Sequence, residues 1–209
     1  MSQYFEIHPD TPQPRLIRRA AEIVRAGGVI AYPTDSCYAL GCHIGDKDAM
    51  QRIAAIRRID KDHNFTLVCR DLSEIATYAR VDNWAFRLLK AHTPGPYTFI
   101  LDATHEVPRR LQHPKRKTIG IRVPDHPVAQ ALLAELGEPL LSSTLLITGD
   151  PLPMTEGWEI RERLESQLDL VIDGGHCGIE PTTVVEMGKN ETRIVRQGRG
   201  DPSVFDSRV

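Results

Sequence analysis

The chain lacks most of the features by which a sequence declares its chemistry. Its four cysteines, Cys37, Cys42, Cys69 and Cys177, contain no C-x-x-C pair. Neither a thiolate zinc site nor a dithiol redox motif is expected. Its eight histidines show no H-x-x-x-H or HExxH spacing, so a metal site built by the protein alone is not expected. There is no P-loop, no GxGxxG and no GxSxG elbow, which removes the commonest nucleotide-binding fingerprints and a serine-hydrolase nucleophile. No run approaches the roughly 18 apolar residues of a membrane helix. Residues 1–14 carry no apolar stretch of signal-peptide length. A cytoplasmic setting with reduced thiols and no membrane partner is expected. An excess of one charge is missing as well: 26 Lys and Arg against 28 Asp and Glu give a formal net charge of -2. Proteins that coat nucleic acid indiscriminately are usually basic, so any contact with nucleic acid has to come from a local patch.

What is present suits one folded domain. The 209 residues are 41% hydrophobic, enough for a sizeable core. Leu16, Ala20, Ile23 and Val24 recur at helical spacing between Pro14 and Arg25, and Gly27-Gly28 stops that helix. Val29 to Pro33 reads as a buried strand. Asp46 is placed to cap a helix carrying Ala49, Met50, Ile53, Ala54 and Ile56. Further strands are expected at Phe65–Val68, Tyr97–Leu101, Thr118–Val123, Leu140–Thr144, Leu168–Ile172, Thr182–Glu186 and Thr192–Val195. Helices are expected at Leu72–Ala79, Trp84–Ala91, Glu106–Leu111, Pro127–Leu136 and Glu156–Gln167. Interleaved strands and helices predict an α/β fold: a single-domain, twisted, open sheet of mixed parallel and antiparallel strands, flanked by helices. The reading divides the chain into an N-terminal arm, 1–13, a domain, 14–200, and a C-terminal tail, 201–209.

Ligands of such sheets sit beyond strand ends. The candidate chemistry there is hydroxyl and guanidinium. Tyr32-Pro33-Thr34-Asp35-Ser36 offers hydroxyls, a carboxylate and free N–H groups, either to a ligand or to a turn cap. Arg57 and Arg58 end a helix, where cations suit the dipole or engage a phosphate. Thr93-Pro94-Gly95-Pro96-Tyr97-Thr98 is a stiff turn presenting Thr98. Arg122 lies between apolar strand residues and faces either solvent or an anion in a cleft. Ser142, Ser143 and Thr144 leave a strand, and Thr182, Thr183 and Arg196 lie near the C-terminal strands. Arg109, Arg110, Lys115, Arg116 and Lys117 are either a nucleic-acid footprint or a solvated surface.

The order of these motifs resembles the YrdC/YciO-type family of threonylcarbamoyl-AMP synthase-like proteins. Tyr32-Pro-Thr-Asp35 and Tyr38-Ala-Leu-Gly-Cys42 resemble its Pro-Thr-Glu and Phe/Tyr-Gly-Leu-Gly-Cys opening. Thr93-Pro-Gly-Pro-Tyr-Thr98 resembles its Ser/Trp-Pro-Gly-Pro-x-Thr turn. Ile121-Arg-Val-Pro124, Ser142-Ser143-Thr144, Thr182-Thr183-Val-Val and Ile194-Val-Arg196 follow in order. The likeness spans Pro14 to Arg199 and is closest to the YciO branch. It implies the YrdC-like (DHBP synthase-like) fold. In the best-known branch it implies synthesis of threonylcarbamoyl-AMP from threonine, bicarbonate and ATP with magnesium, for tRNA adenosine-37 modification. Family members are also associated with double-stranded RNA and tRNA.

By resemblance, Thr34 and Arg122 would hold threonine. Arg57, Ser142, Thr144 and Arg196 would hold the nucleotide, with Thr98, Thr182 and Thr183 as further cleft residues. Arg57, Arg58, Lys61, Arg109, Arg110 and Lys115 to Lys117 would contact RNA. The sequence departs from the family where it carries Lys-x-Arg and Ser-x-Asn: Arg57-Arg58-Ile59 and Thr144-Leu145-Leu146 stand there. Ile59 and Leu146 have no polar group to offer a nucleotide, so synthase activity is expected to be weak or absent. The leading expectation is an RNA-binding relative with a nucleotide cleft. The alternative is an active threonylcarbamoyl-AMP synthase, and a sensor of a nucleotide or amino acid is a third reading.

Overall fold

The computed structural model describes residues 1–59 and 64–205. The chain opens with strand β1 (Gln3–Glu6), helix α1 (Pro14–Arg25), β2 (Ile30–Tyr32) and β3 (Ala39–His43). Next come α2 (Lys47–Arg57), β4 (Thr66–Val68), α3 (Leu72–Tyr78), α4 (Asn83–His92) and β5 (Tyr97–Asp102). A 3-10 turn at Arg109–Leu111 leads to β6 (Thr118–Arg122), α5 (Pro127–Leu136), β7 (Leu140–Thr144) and α6 (Gly157–Leu164). The chain closes with β8 (Leu170–Asp173), β9 (Thr183–Met187) and β10 (Thr192–Arg196). The helix starts are capped by local chemistry. The Asp46, Asp71 and Asp82 carboxylates accept the N–H groups of Ala49, Glu74 and Ala85 at 2.8, 2.9 and 2.8 Å. Gly137 closes α5 at φ 70°, a left-handed conformation that costs glycine little.

The described strands form one sheet in the order β1-β8-β2-β3-β7-β4-β6-β5-β9-β10. Pairs β1/β8, β2/β8, β4/β6 and β5/β9 are parallel, and the other five neighbouring pairs are antiparallel, so the sheet is mixed as the sequence predicts. Two strands escape the sequence reading. Gln3–Glu6, within the segment set apart as an arm, pairs with β8 as an edge strand. Ala39–His43, read only as a motif, lies between β2 and β7. Both are short and neither alternates cleanly, and long-range pairing creates them. The helix expected at Glu106–Leu111 shrinks to its last three residues as a 3-10 turn.

Burial follows the two-residue period of a strand. Along β2 and its lead-in, Val29 and Ala31 face a core shared with Ile53, Ile75, Leu89 and Ile160 of α2, α3, α4 and α6. Ile30 and Tyr32 face the opposite side, against Ala20, Ala21 and Val24 of α1 and Leu132 and Leu133 of α5. The α1–α5 pair covers that second face only over the β1, β8, β2 and β3 end, reaching as far as Val68 and Leu140. The rest of the face, over β7, β4, β6, β5 and β9, has no helix on it among the described residues and forms a cleft. Truncating fully buried Leu132 in Leu132→Ala should destabilise the protein by about 2–5 kcal/mol in urea unfolding. A loss well under 1 kcal/mol would contradict this packing.

Candidate ligand-binding site

Strand register sets the cleft floor. Gly41, Ser142, Thr66, Gly120 and Ile100 lie abreast on five neighbouring strands. A Cβ on Gly120 would stand 3.3 Å from Thr98 Cγ2 and 3.4 Å from Thr66 Oγ1, so the missing side chain keeps the floor low. The cavity above measures about 430 Å³, a size suited to a small-molecule ligand.

One end is built where β2 stops at Pro33. The Thr34 hydroxyl donates to the Cys37 carbonyl at 2.6 Å and accepts the Ser36 N–H at 3.2 Å. Thr34 thus holds a tight turn and lies behind the cleft wall, while Ser36 and Cys37 line it. Arg122, at the end of β6, forms an ion pair with Asp35 and donates to Ser36 Oγ at 3.2 Å. The two charged side chains are only 8% and 11% exposed. Asp35 Oδ2 and Arg122 Nε are nonetheless buried without a hydrogen-bond partner among the described residues. Each such orphan costs about 1–3 kcal/mol, and one spare acceptor beside one spare donor is what an incoming polar ligand satisfies.

The other end gathers cations and hydroxyls. Arg57 Nε donates to the Leu146 carbonyl at 3.0 Å and its guanidinium also meets Ser143 Oγ. Burial, then the nearby positive charge of Arg196, lowers the Arg57 pKa to about 10. Arg196 donates to the Thr182 carbonyl at 2.9 and 3.2 Å, and burial of its head lowers its pKa too. Two neighbouring guanidinium groups, both partly desolvated, favour an anion between them. Ser142 gives its proton to the Leu40 carbonyl at 2.9 Å, so the Tyr32 hydroxyl is the donor in their 2.8 Å bond. Thr98 and Thr182 share a 2.8 Å hydroxyl contact across β5 and the approach to β9.

Of the sequence-predicted residues, Arg57, Thr98, Arg122, Ser142, Thr144, Thr182 and Arg196 line this one cleft. Thr183 does not: it is fully buried and ties down the C-terminal segment, donating to the Gly200 carbonyl at 2.5 Å. The basic run divides. Arg116 lines the cleft and pairs with Glu186. Arg58 is an exposed left-handed cap of α2, and Arg110 is spent on the Gly45 carbonyl at 2.8 Å. Arg109, Lys115 and Lys117 are exposed outside the cleft lining, and Lys61 lies outside the described residues. Leu146 lines the cleft, whereas Ile59 packs partly against the core. Asp35, Ser36, Ser143 and His113 also belong to the site or its support. The Asp35 carboxylate was visible in the turn after Tyr32-Pro33, but that it serves the buried Arg122 is shown only by the fold.

A family model for Sua5/YciO/YrdC proteins, described as telomere recombination, matches residues 22–198, and the chain belongs to that family. It is 60% identical to the YciO protein of Escherichia coli over 98% of this chain and 100% of that one. It is 35% identical to a threonylcarbamoyl-AMP synthase of Nitrosococcus oceani, over 88% of this chain and 95% of that one. The crystal structure of E. coli YciO superposes with a TM-score of 0.94 at 60% identity, covering 98% of this chain and 100% of that one. That of P. abyssi Sua5 with L-threonine gives 0.86 at 26% identity, covering 94% of this chain and 58% of that one.

Two outcomes follow from the site's electrostatics. Asp35→Asn leaves the Arg122 charge buried without its partner and should cost about 3–5 kcal/mol in urea unfolding. An unchanged midpoint would show that the pair contributes nothing. Burial pushes the thiols of Cys37 up to about 11 and of Cys42 and Cys177 up to about 12, from 9.0 in the unfolded chain. The unfolded state therefore loses those protons first. The associated stability is intact below pH 9.0 and is lost as pH rises through 11 to 12. Melting temperature should fall steeply above pH 9, and Cys37→Ala should soften that fall; a flat alkaline profile would count against burial of the thiols.

Proposed function

We propose that the cleft binds an adenine nucleotide together with threonine, the ligand class of threonylcarbamoyl-AMP synthases, and that the synthesis step itself is weak or absent. The observation that carries this reading is the difference between the two ends of one cavity. At one end, the ion pair leaves Asp35 Oδ2, just behind the lining residues Ser36 and Cys37, as a spare acceptor and Nε of the lining residue Arg122 as a spare donor. A zwitterionic amino acid supplies an ammonium to the first and a carboxylate to the second. Ser36 stands beside them for a side-chain hydroxyl, and Thr34 contributes by shaping the turn. At the other end Arg57 and Arg196, with Thr98, Thr144 and Thr182, suit phosphate oxygens. Ser142 acts by position, since its proton is already given to Leu40.

Magnesium enters this reading as the counter-ion that ATP brings with it as substrate. Catalysis of adenylyl transfer would rest on holding a carbamate against the α-phosphorus and offsetting the developing charge. Leu146 sets an apolar wall at that end of the cleft, where the family resemblance places an asparagine. A lost donor to developing charge costs about 3 kcal/mol of barrier. A cytoplasmic setting is part of the proposal; among the described residues no helix is long and apolar enough to cross a membrane.

The test is calorimetric titration with ATP and AMP, followed by pyrophosphate release with threonine and bicarbonate. Wild type should bind nucleotide and turn over slowly. Leu146→Asn should raise turnover about tenfold or more, and adding Ile59→Arg, at a position packed partly against the core rather than lining the cleft, should add nothing. Absence of nucleotide binding would sink the cleft reading, and fast wild-type turnover would replace the weak-synthase clause.

A second reading, binding of double-stranded RNA or tRNA, is favoured by Arg58, Arg109, Lys115 and Lys117, which are exposed and form no ion pair among the described residues. Replacing these residues with glutamine should reduce the salt dependence of RNA affinity by about 0.9 for each phosphate no longer neutralised. An unchanged slope would remove this reading.

A further inference from the structure

The turn between the 3-10 segment and β6 holds His113 in one orientation. Its backbone N–H donates to the Thr118 carbonyl at 2.8 Å, and its carbonyl accepts the Lys117 N–H at 2.9 Å. Its ring Nδ1 faces the backbone N–H groups of Lys115 and Arg116 at 3.3 and 3.1 Å. Backbone N–H groups only donate, so Nδ1 must accept, and the ring proton of the neutral imidazole sits on Nε2. Nε2 has no hydrogen-bond partner among the described residues, while the side chain lines the cleft. Arg116, three residues on, lines the same wall. One of its guanidinium nitrogens, Nη1, is held by Glu186, and Glu186 is itself held by Arg193. The remaining guanidinium N–H groups of Arg116 have no partner among the described residues.

We propose that His113 Nε2–H and Arg116 form a second anion subsite in the cleft, one that takes a phosphate group. The inference rests on the nucleotide reading above and extends it to a wall that the motifs from Thr34 to Arg196 leave unassigned. Both donors are aligned by bonds made elsewhere: the imidazole by the turn, the guanidinium by Glu186. A group pre-set in this way loses little entropy on binding. The commitment is to the phosphate of a bound nucleotide rather than of RNA, because both residues contribute to the wall of the cleft, whereas neighbouring Lys115 and Lys117 do not.

Asparagine separates structure from recognition here, because its side-chain oxygen accepts the same turn N–H groups that Nδ1 accepts, while its shorter amide does not carry an N–H to the position of Nε2. The experiment compares wild type, His113→Asn and Glu186→Gln by calorimetry with ATP, with adenosine and with a double-stranded RNA, alongside melting temperatures. The expected result for His113→Asn is a near-wild-type melting temperature, ATP affinity down about tenfold or more, and unchanged adenosine affinity. Glu186→Gln should weaken ATP by a smaller factor. Equal ATP affinity of His113→Asn and wild type overturns the subsite while leaving the nucleotide reading intact. Equal loss for ATP and adenosine, or loss for RNA alone, also overturns it. Failure of wild type to bind ATP at all removes the nucleotide reading and the subsite with it.

Discussion

The ion pair between Asp35 and Arg122 joins parts of the sheet that are otherwise separate. Asp35 lies just past β2 and Arg122 ends β6, and β3, β7 and β4 stand between those strands in the sheet. By register Arg122 is level with Val68, Leu140 and His43, whereas Tyr32 at the end of β2 is level with Ala39 and Thr144, so the loop from Pro33 to Cys37 folds back toward the opposite strand end to meet its partner. A charge pair so deeply buried is held only if geometry and hydrogen bonds compensate its desolvation. Here the compensation is incomplete, because one carboxylate oxygen and one guanidinium nitrogen remain unsatisfied. The fold tolerates that deficit at the place where a ligand could correct it, which is how strain and function come to share a site.

A second constraint is the unequal covering of the sheet. One face is packed by α2, α3, α4 and α6 along its length. Among the described residues the other carries only the α1–α5 pair at one end. Small and polar residues on the bare part, Thr66, Gly120, Ser142 and Thr98, are not a failed core. They alternate with Leu67, Ile119, Leu141 and Phe99, which face the packed side. The cleft is the part of the sheet for which the described residues provide no helix.

Much of this architecture was legible in the residues. Helix α1 could be read because its apolar spacing is unbroken and glycine follows it, and α2 and α5 because Asp46 and Gly137 mark their ends by local chemistry. Strands β1 and β3 were not legible, since four or five residues without clean alternation become strands only when neighbours supply hydrogen bonds. The hydroxyl and arginine motifs were visible at strand ends, but their roles were not. Thr34 and Thr183 turned out to hold backbone, because a hydroxyl serves a turn and a ligand equally well until its partners are known. Ile59 and Leu146 looked equivalent as apolar replacements, yet only Leu146 faces the cleft.

The sequence by itself determined the α/β class, the positions of the long helices, and the hydroxyl and guanidinium character of the strand ends. These depend on local periodicity, capping and residue type, which act within a few positions along the chain. Only the tertiary structure decided that Arg122 pairs with Asp35, that burial and then Arg196 lower the basicity of Arg57, and that His113 shares a cavity wall with Arg116. Those facts depend on distances between residues up to 139 positions apart, Arg57 and Arg196 being the widest pair. The order of strands in the sheet sets such distances, and no local pattern in the chain encodes that order.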